Sequence, residues 1–223
     1  MERETGFEPA TSTLARSHST TELLPQCLHF FSLCQEICQP PGDGLKAMME
    51  TERLLIEEWR PEDWLRFRPI ATDPAVMRYI STGQPWPDER IQQFVAKQIN
   101  QAQTDGFCLW KLVEKSTQRL VGQCGLQPLG QTGEIEIGWW LARDYWGRGL
   151  ATEAARRVLQ YAFETLHLKR IIAIAQPANQ ASIKVMQKLG MSFERATSHE
   201  ELGLANPEIE IVLYSIENRE ATT

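Results

Sequence analysis

No apolar run in this 223-residue chain approaches the roughly 18 residues needed to cross a bilayer, so no membrane partner is expected. Nor is there a basic excess. The 23 Lys and Arg are outnumbered by 29 Asp and Glu, a formal net charge of −6. That balance argues against a nucleic-acid partner, which favours a basic face, and suits a cationic substrate somewhat better. The cysteines do not pair off, being five in number. Cys27, Cys34 and Cys38 cluster early at spacings that match no usual zinc pattern, so no metal is expected. Cys108 and Cys124 fall within strand-like runs and read as small buried hydrophobes. Neither has a His near it in sequence, which disfavours a Cys-His nucleophile. This cysteine usage points to a reducing, cytoplasmic compartment. What the chain does have is an apolar fraction of 42%, that of a globular protein, and a length suited to one domain with an appendage.

The appendage is residues 1–47. Ser and Thr crowd its first half without periodicity, and Pro40-Pro41-Gly42-Asp43-Gly44 closes it like a linker. Pro25, Gln26 and His29 interrupt its mildly apolar stretch, against a signal-peptide core. The string from Gly6 to Arg16 resembles untranslated or stable-RNA sequence read as protein. We therefore expect a disordered or spurious extension, with translation beginning at Met48 or Met49. The domain proper is expected over residues 51–217, with a tail over 218–223.

Within that span the patterns are regular. Residues 51–59 read as a first strand. Pro61, with Glu62 and Asp63 behind it, opens a helix, and Asp73-Pro74 opens a short second one reaching Ile80. Residues 88–103 carry Ile91, Phe94, Val95, Ile99 and Ala102 on one helical face. Residues 107–114 and 119–126 form a hairpin, and 128–133 a turn. Glu134, Glu136 and Gly138 then alternate with Ile135, Ile137 and Trp139, the period of a half-buried strand over 135–141. From Leu150 the period lengthens: Ala151, Ala154, Ala155, Val158, Leu159, Ala162, Phe163 and Leu166 recur at three- and four-residue steps. Residues 169–175 read as a buried strand, so strand, helix, strand implies a parallel pair with a right-handed crossover. Asn179 is a good N-cap and Gly190 a good stop for a further helix. Residues 193–199 and 208–216 close the domain as a hairpin.

Gly147 and Gly149 sit where strand period changes to helix period. Glycine there turns backbone N–H groups outward and lets a ligand approach with no Cβ in the way. The helix N-terminus adds unpaired donors and a partial positive charge, so the turn suits an anion, most often a phosphate. No Gly-Lys-Ser or Gly-Lys-Thr follows, which excludes the nucleoside-triphosphate loop, and the third glycine of the dinucleotide fingerprint is missing.

The run Tyr145-Trp146-Gly147-Arg148-Gly149-Leu150-Ala151-Thr152-Glu153-Ala154 resembles the acetyl-CoA pyrophosphate loop of the GNAT superfamily of N-acetyltransferases. Within it, the chain is similar to the branch holding the ribosomal-protein N-terminal (alanine) acetyltransferases. The family pattern is Gln or Arg, two residues, Gly, one residue, then Gly or Ala. Trp146 stands in the Gln/Arg place, Gly149 and Ala151 in the small ones. Residues 179–191 resemble the second family signature: Asn, two residues, a small residue, then Lys-Leu-Gly before an apolar residue. The resemblance covers roughly residues 51–217. It implies an α+β, three-layer fold: a mixed, mostly antiparallel twisted sheet with a parallel, splayed central strand pair and helices on both faces.

The same resemblance implies acetyl transfer from acetyl-CoA directly to a primary amine, on a protein N-terminus or a small molecule, by a ternary-complex general-base mechanism. The diphosphate is expected on the N–H groups between Trp146 and Thr152, including Gly147, Arg148, Gly149, Leu150 and Ala151, with Arg148 adding charge. Trp139, Trp140 and Leu141 match the strand segment that pairs with pantetheine and supports the thioester oxygen. Glu136 is the first choice of base and Glu134 the reserve, unless both merely face solvent. Relatives place a Tyr acid seven residues after the signature Asn; here that position is Met186. Either Ser182 or water then protonates the thiolate, and Ser182 is alternatively only a small helix residue. Asn179 orders pantetheine or the strand edge. Tyr79 and Trp86 border the acceptor cleft or only pack. A non-catalytic acetyl-CoA-binding module remains the alternative from another class, and monomer or homodimer stays open.

Overall fold

The computed structural model describes residues 48–218. The expectations for residues 1–47, including Cys27, Cys34 and Cys38, and for 219–223 lie outside the described residues. The strands are β1 (Met49–Glu50), β2 (Leu54–Glu57), β3 (Leu109–Glu114), β4 (Arg119–Pro128), β5 (Ile135–Leu141), β6 (Arg170–Ala175), β7 (Ser192–Ser198) and β8 (Glu210–Glu217). The helices are α1 (Asp63–Ala71), α2 (Pro74–Met77), α3 (Asp88–Asp105), α4 (Leu150–Glu164) and α5 (Gln180–Lys188).

All eight strands join one sheet in the order β1-β2-β3-β4-β5-β6-β8-β7. Neighbouring strands are antiparallel, whether joined by a short turn, as β3–β4 and β4–β5, or by the three helices between β2 and β3. The exception is β5–β6, where α4 carries the chain across and the pair is parallel. That pair touches at one register point only, Glu136 against Ile172. Beyond it β5 stays bonded to β4 through Leu141 while β6 stays bonded to β8 through Ala175, so the two strands part. The closed end of the split is stapled by side chains. Arg170 of β6 reaches Glu134 at 3.3 Å and Glu194 of β7 at 2.6 Å. Hydrogen bonds from Arg170 and from the Ser215 hydroxyl hold the Glu194 carboxyl down at about 2.

Cross-strand register assigns the faces. Lys111, Gln123 and Trp140 form one row, and Trp110, Cys124 and Trp139 the next, on the opposite face. The Trp140 ring stacks 6.0 Å from Phe67 of α1 and 5.7 Å from Phe94 of α3, so these helices cover the first face. Trp59 and Trp86 complete that aromatic cluster. Trp110 meets Tyr161 of α4 edge to face at 5.6 Å, which puts α4 on the second. Of the period read from Leu150 onward, α4 buries Ala154, Ala155, Val158, Leu159 and Ala162, with Leu150 itself, while Ala151 and Phe163 are half-buried and Leu166 lies past the helix end. Cys108 and Cys124 are free and buried, and burial pushes both thiols far above their usual range.

Several boundaries differ from expectation for local reasons. β1 is two residues long and carries no period. α1 begins at Asp63 because residues 60–63 first close a turn, Asp63 N–H donating to the Arg60 carbonyl at 3.0 Å. Asp63 is itself buried and accepts from Lys111 Nζ at 2.5 Å and from Arg60 N–H at 2.8 Å, anchoring the helix to the sheet. α2 stops at Met77, and Ser81 beyond it takes a left-handed φ of 53°.

Candidate active site

β5 and β6 run parallel, so both deliver their following helices to one end of the sheet, beside the split between them. In open sheets such a crevice is where ligands settle. The loop from β5 to α4 first makes a helical turn at Arg143–Tyr145. Trp146 follows, 48% exposed, with its indole N–H donating to the Leu141 carbonyl at 2.8 Å. Its side chain therefore ties the loop to the strand end instead of offering a polar group to a ligand. Gly147 and Gly149 then take left-handed φ values of 71° and 80°, a region that a side chain makes costly.

Among the described residues, no acceptor meets the backbone N–H groups of Gly147, Arg148, Gly149, Leu150, Ala151 and Thr152. The first helical N–H with a partner is that of Glu153, bonded to the Gly149 carbonyl at 3.1 Å. A Cβ built on Gly147 meets nothing within 4 Å. Donors in a row, open space and a helix N-terminus fit a diphosphate. Leu150 offers only its backbone to the loop's open side, its side chain being fully buried. The Arg148 side chain departs from expectation. Its Nη2 lies 2.5 Å from Glu114 Oε1, and its guanidinium rests 4.9 Å over the Tyr145 ring. Glu114 thus already claims the charge that the sequence offers to the ligand.

Glu136 sits at the point where β5 and β6 part. It is 8% exposed, and burial pushes its carboxyl up to about 7 against the opposing hydrogen bond from Gln127. Gln127 is its cross-strand partner on β4 and donates Nε2 to Glu136 Oε2 at 3.0 Å. A carboxyl poised there takes and gives protons near neutral pH. Glu134, the reserve base, is engaged by Arg170. Trp140 shares the face of Glu136 and packs in the aromatic cluster, whereas Trp139 lies half-buried on the α4 face.

At the other helix N-terminus Asn179 caps α5, its Oδ1 accepting from Ser182 N–H at 3.2 Å. The side-chain nitrogen Nδ2 of Asn179 and the Ser182 hydroxyl find no partner among the described residues. Met186 is buried beneath. Trp86 is buried in the aromatic cluster, 5.0 Å from Trp140, while Tyr79 is half-buried with Arg78 over its ring. Four residues around the site escaped the sequence reading: Gln127, Glu114, Arg53 and Glu153. Only Gln127 had a usable signal, since fixing the turn after Pro128 sets it opposite Glu136. Among the described residues no group of His, Cys, Asp and Glu is arranged to hold a metal.

A profile of the Acetyltransferase (GNAT) domain matches residues 53–192. The chain is similar to the "Uncharacterized N-acetyltransferase YnaD" of Bacillus subtilis, 34% identical over 144 residues, covering 65% of this chain and 82% of that one. It is likewise similar to the "Uncharacterized N-acetyltransferase p20" of Bacillus licheniformis, 32% identical over 146 residues with the same 65% and 82% shares. Among solved structures, a GNAT-family acetyltransferase from Bacillus anthracis matches with a TM-score of 0.65 at 30% identity, over 76% of this chain and 97% of that one.

Proposed function

That the chain belongs to the GNAT family of acetyltransferases, enzymes that draw on acetyl-CoA, is the premise from which we propose a direct transfer to a primary amine with Glu136 as the general base. The observation that carries this reading is a conjunction. One strand, β5, holds a buried carboxyl titrating near neutrality and leads straight into a loop of unpaired N–H donors.

In this reading the loop from Gly147 to Thr152 binds the diphosphate and lays the pantetheine arm along the edge of β5 that β6 leaves free. The amine enters from the face shared by Glu136 and Trp140, with Tyr79 and Trp86 on its border. Glu136 accepts the amine proton, directly or through one water, and the nitrogen attacks the thioester carbon. A β5 backbone N–H steadies the oxyanion, a contribution of about 2.7–4 kcal/mol for one such donor. The carbon–sulfur bond then breaks, and the thiolate takes its proton from Ser182 or from water. No acyl-enzyme forms. The two thiols among the described residues, Cys108 and Cys124, are buried and held protonated, which supports attack without a covalent intermediate.

The acceptor is a protein N-terminus or a small-molecule amine in the cytoplasm, on a monomer or homodimer. Met186, standing where relatives keep a Tyr, favours the second reading, a module that binds acetyl-CoA without turning it over. One assay separates them: thiol release from acetyl-CoA with a panel of polyamines, amino acids and N-terminal peptides. Amine-dependent release supports the enzyme. Binding of CoA with no release for any amine supports the module.

A further inference from the structure

The loop that carries the unpaired donors contains two glycines, which give it access to a ligand but also freedom to turn its peptide planes. Something outside the loop must hold those planes. From the geometry we infer that Arg53 does this, as a positioning residue for the diphosphate. The inference rests on the reading of residues 147–152 as the diphosphate site.

Arg53 lies in the turn between β1 and β2. Its Nη1 donates to the Arg148 carbonyl at 2.9 Å. Its Nη2 stands 3.7 Å from where a Cβ on Gly149 would be. A peptide unit is planar, with its C=O and N–H pointing opposite ways. Holding the Arg148 carbonyl inward therefore aims the Gly149 N–H outward, at the ligand. The guanidinium is fixed in turn by Glu153 in the first turn of α4. Glu153 accepts from Arg53 Nε at 2.7 Å and from its backbone N–H at 2.9 Å, and pairs with Nη2 at 2.6 Å. The Thr51 hydroxyl adds a fourth bond at 2.5 Å. Burial pushes this carboxyl up, but Thr51 and Arg53 outweigh it and keep Glu153 below its usual range, hence ionised. The charge of Arg53 is thus balanced within the protein, and what it supplies to the loop is direction. The planar fork matches this arrangement, with Nε and Nη2 on the carboxylate and Nη1 on the carbonyl.

The test uses the full chain and the variants Arg53→Gln and Arg53→Lys. CoA affinity is measured by calorimetry, and KM and kcat with two donors: acetyl-CoA, and S-acetylpantetheine, which has no diphosphate. Arg53→Gln raises Kd for CoA and KM for acetyl-CoA about tenfold, the scale of one lost hydrogen bond to a charged group. It changes kcat by less than about twofold, and kcat/KM for S-acetylpantetheine stays at the wild-type value. Arg53→Lys, which keeps the charge but loses the fork that grips the carboxylate at two nitrogens while a third reaches the carbonyl, falls between and carries the test if the Gln variant does not fold. Wild-type CoA affinity in both variants overturns the inference. So does an equal loss with S-acetylpantetheine, which marks a general structural defect. Failure of the wild-type protein to bind CoA strikes the diphosphate reading instead.

Discussion

Glu136→Gln isolates the energetic penalty of a buried carboxyl. Burial lifts this carboxyl from an ordinary 4.5 to about 7. Such a rise corresponds to roughly 3 kcal/mol between the protonation states, an upper bound once local relaxation is allowed. The sign follows from comparing folded and unfolded chains. Below pH 4.5 the carboxyl is protonated in both, and it contributes nothing. Between 4.5 and 7 the unfolded chain releases the proton while the folded one keeps it, so stability falls as pH rises. Above 7 the loss is complete. Gln keeps the shape and the bond from Gln127 and cannot ionise. Urea unfolding should therefore give matching midpoints for variant and wild type near pH 4. By pH 8 the variant should be more stable by up to roughly 3 kcal/mol, with m unchanged. In the opposite direction, kcat/KM of the variant should fall by about 10²–10⁴. The wild-type rate should climb as pH passes through about 7, the value at which this buried carboxyl releases its proton. A stability gap that does not vary with pH would refute the buried-carboxyl argument. Unchanged turnover would remove Glu136 from the chemistry.

Three smaller perturbations probe the scaffold. Asp63→Asn leaves Lys111 buried beside only Glu57, 3.6 Å away, and should cost about 3–5 kcal/mol in urea unfolding. His167, exposed just past α4 with φ of 53°, should gain about 1 kcal/mol as Gly, seen as a rise in Tm. Trp146→Phe removes the bond to the Leu141 carbonyl and should cost about 1 kcal/mol, with weaker CoA binding in calorimetry.

Wherever packing follows a period, the architecture was readable before any coordinates. The apolar stripe of α4 reappears in Ala154, Ala155, Val158, Leu159 and Ala162, because a side chain's face is set by spacing along its own element, whereas the half-buried alternation around Glu136 does not, Glu136 being buried like Ile137. Gly147 and Gly149 were readable because a left-handed turn before a helix has few other solutions. What stayed hidden depends on residues far apart in the chain. Nothing near Arg148 announces that Glu114 binds its side chain or that Arg53 binds its carbonyl. The level of the Glu136 carboxyl is equally non-local, since it depends on how deeply neighbouring elements bury β5. The sequence places Trp146 where the family pattern has Gln or Arg, but its use as a donor to the Leu141 carbonyl needs the three-dimensional fold of the loop.

The most direct measurement is a calorimetric titration of CoA into the folded full-length chain, with ATP titrated in parallel. The account predicts saturable heat for one CoA per chain and none for ATP, because the proposed site joins the donors from Gly147 to Thr152 with a pantetheine seat along β5 that ATP cannot fill. No heat with CoA at concentrations well above micromolar, or equal binding of both nucleotides, would contradict it.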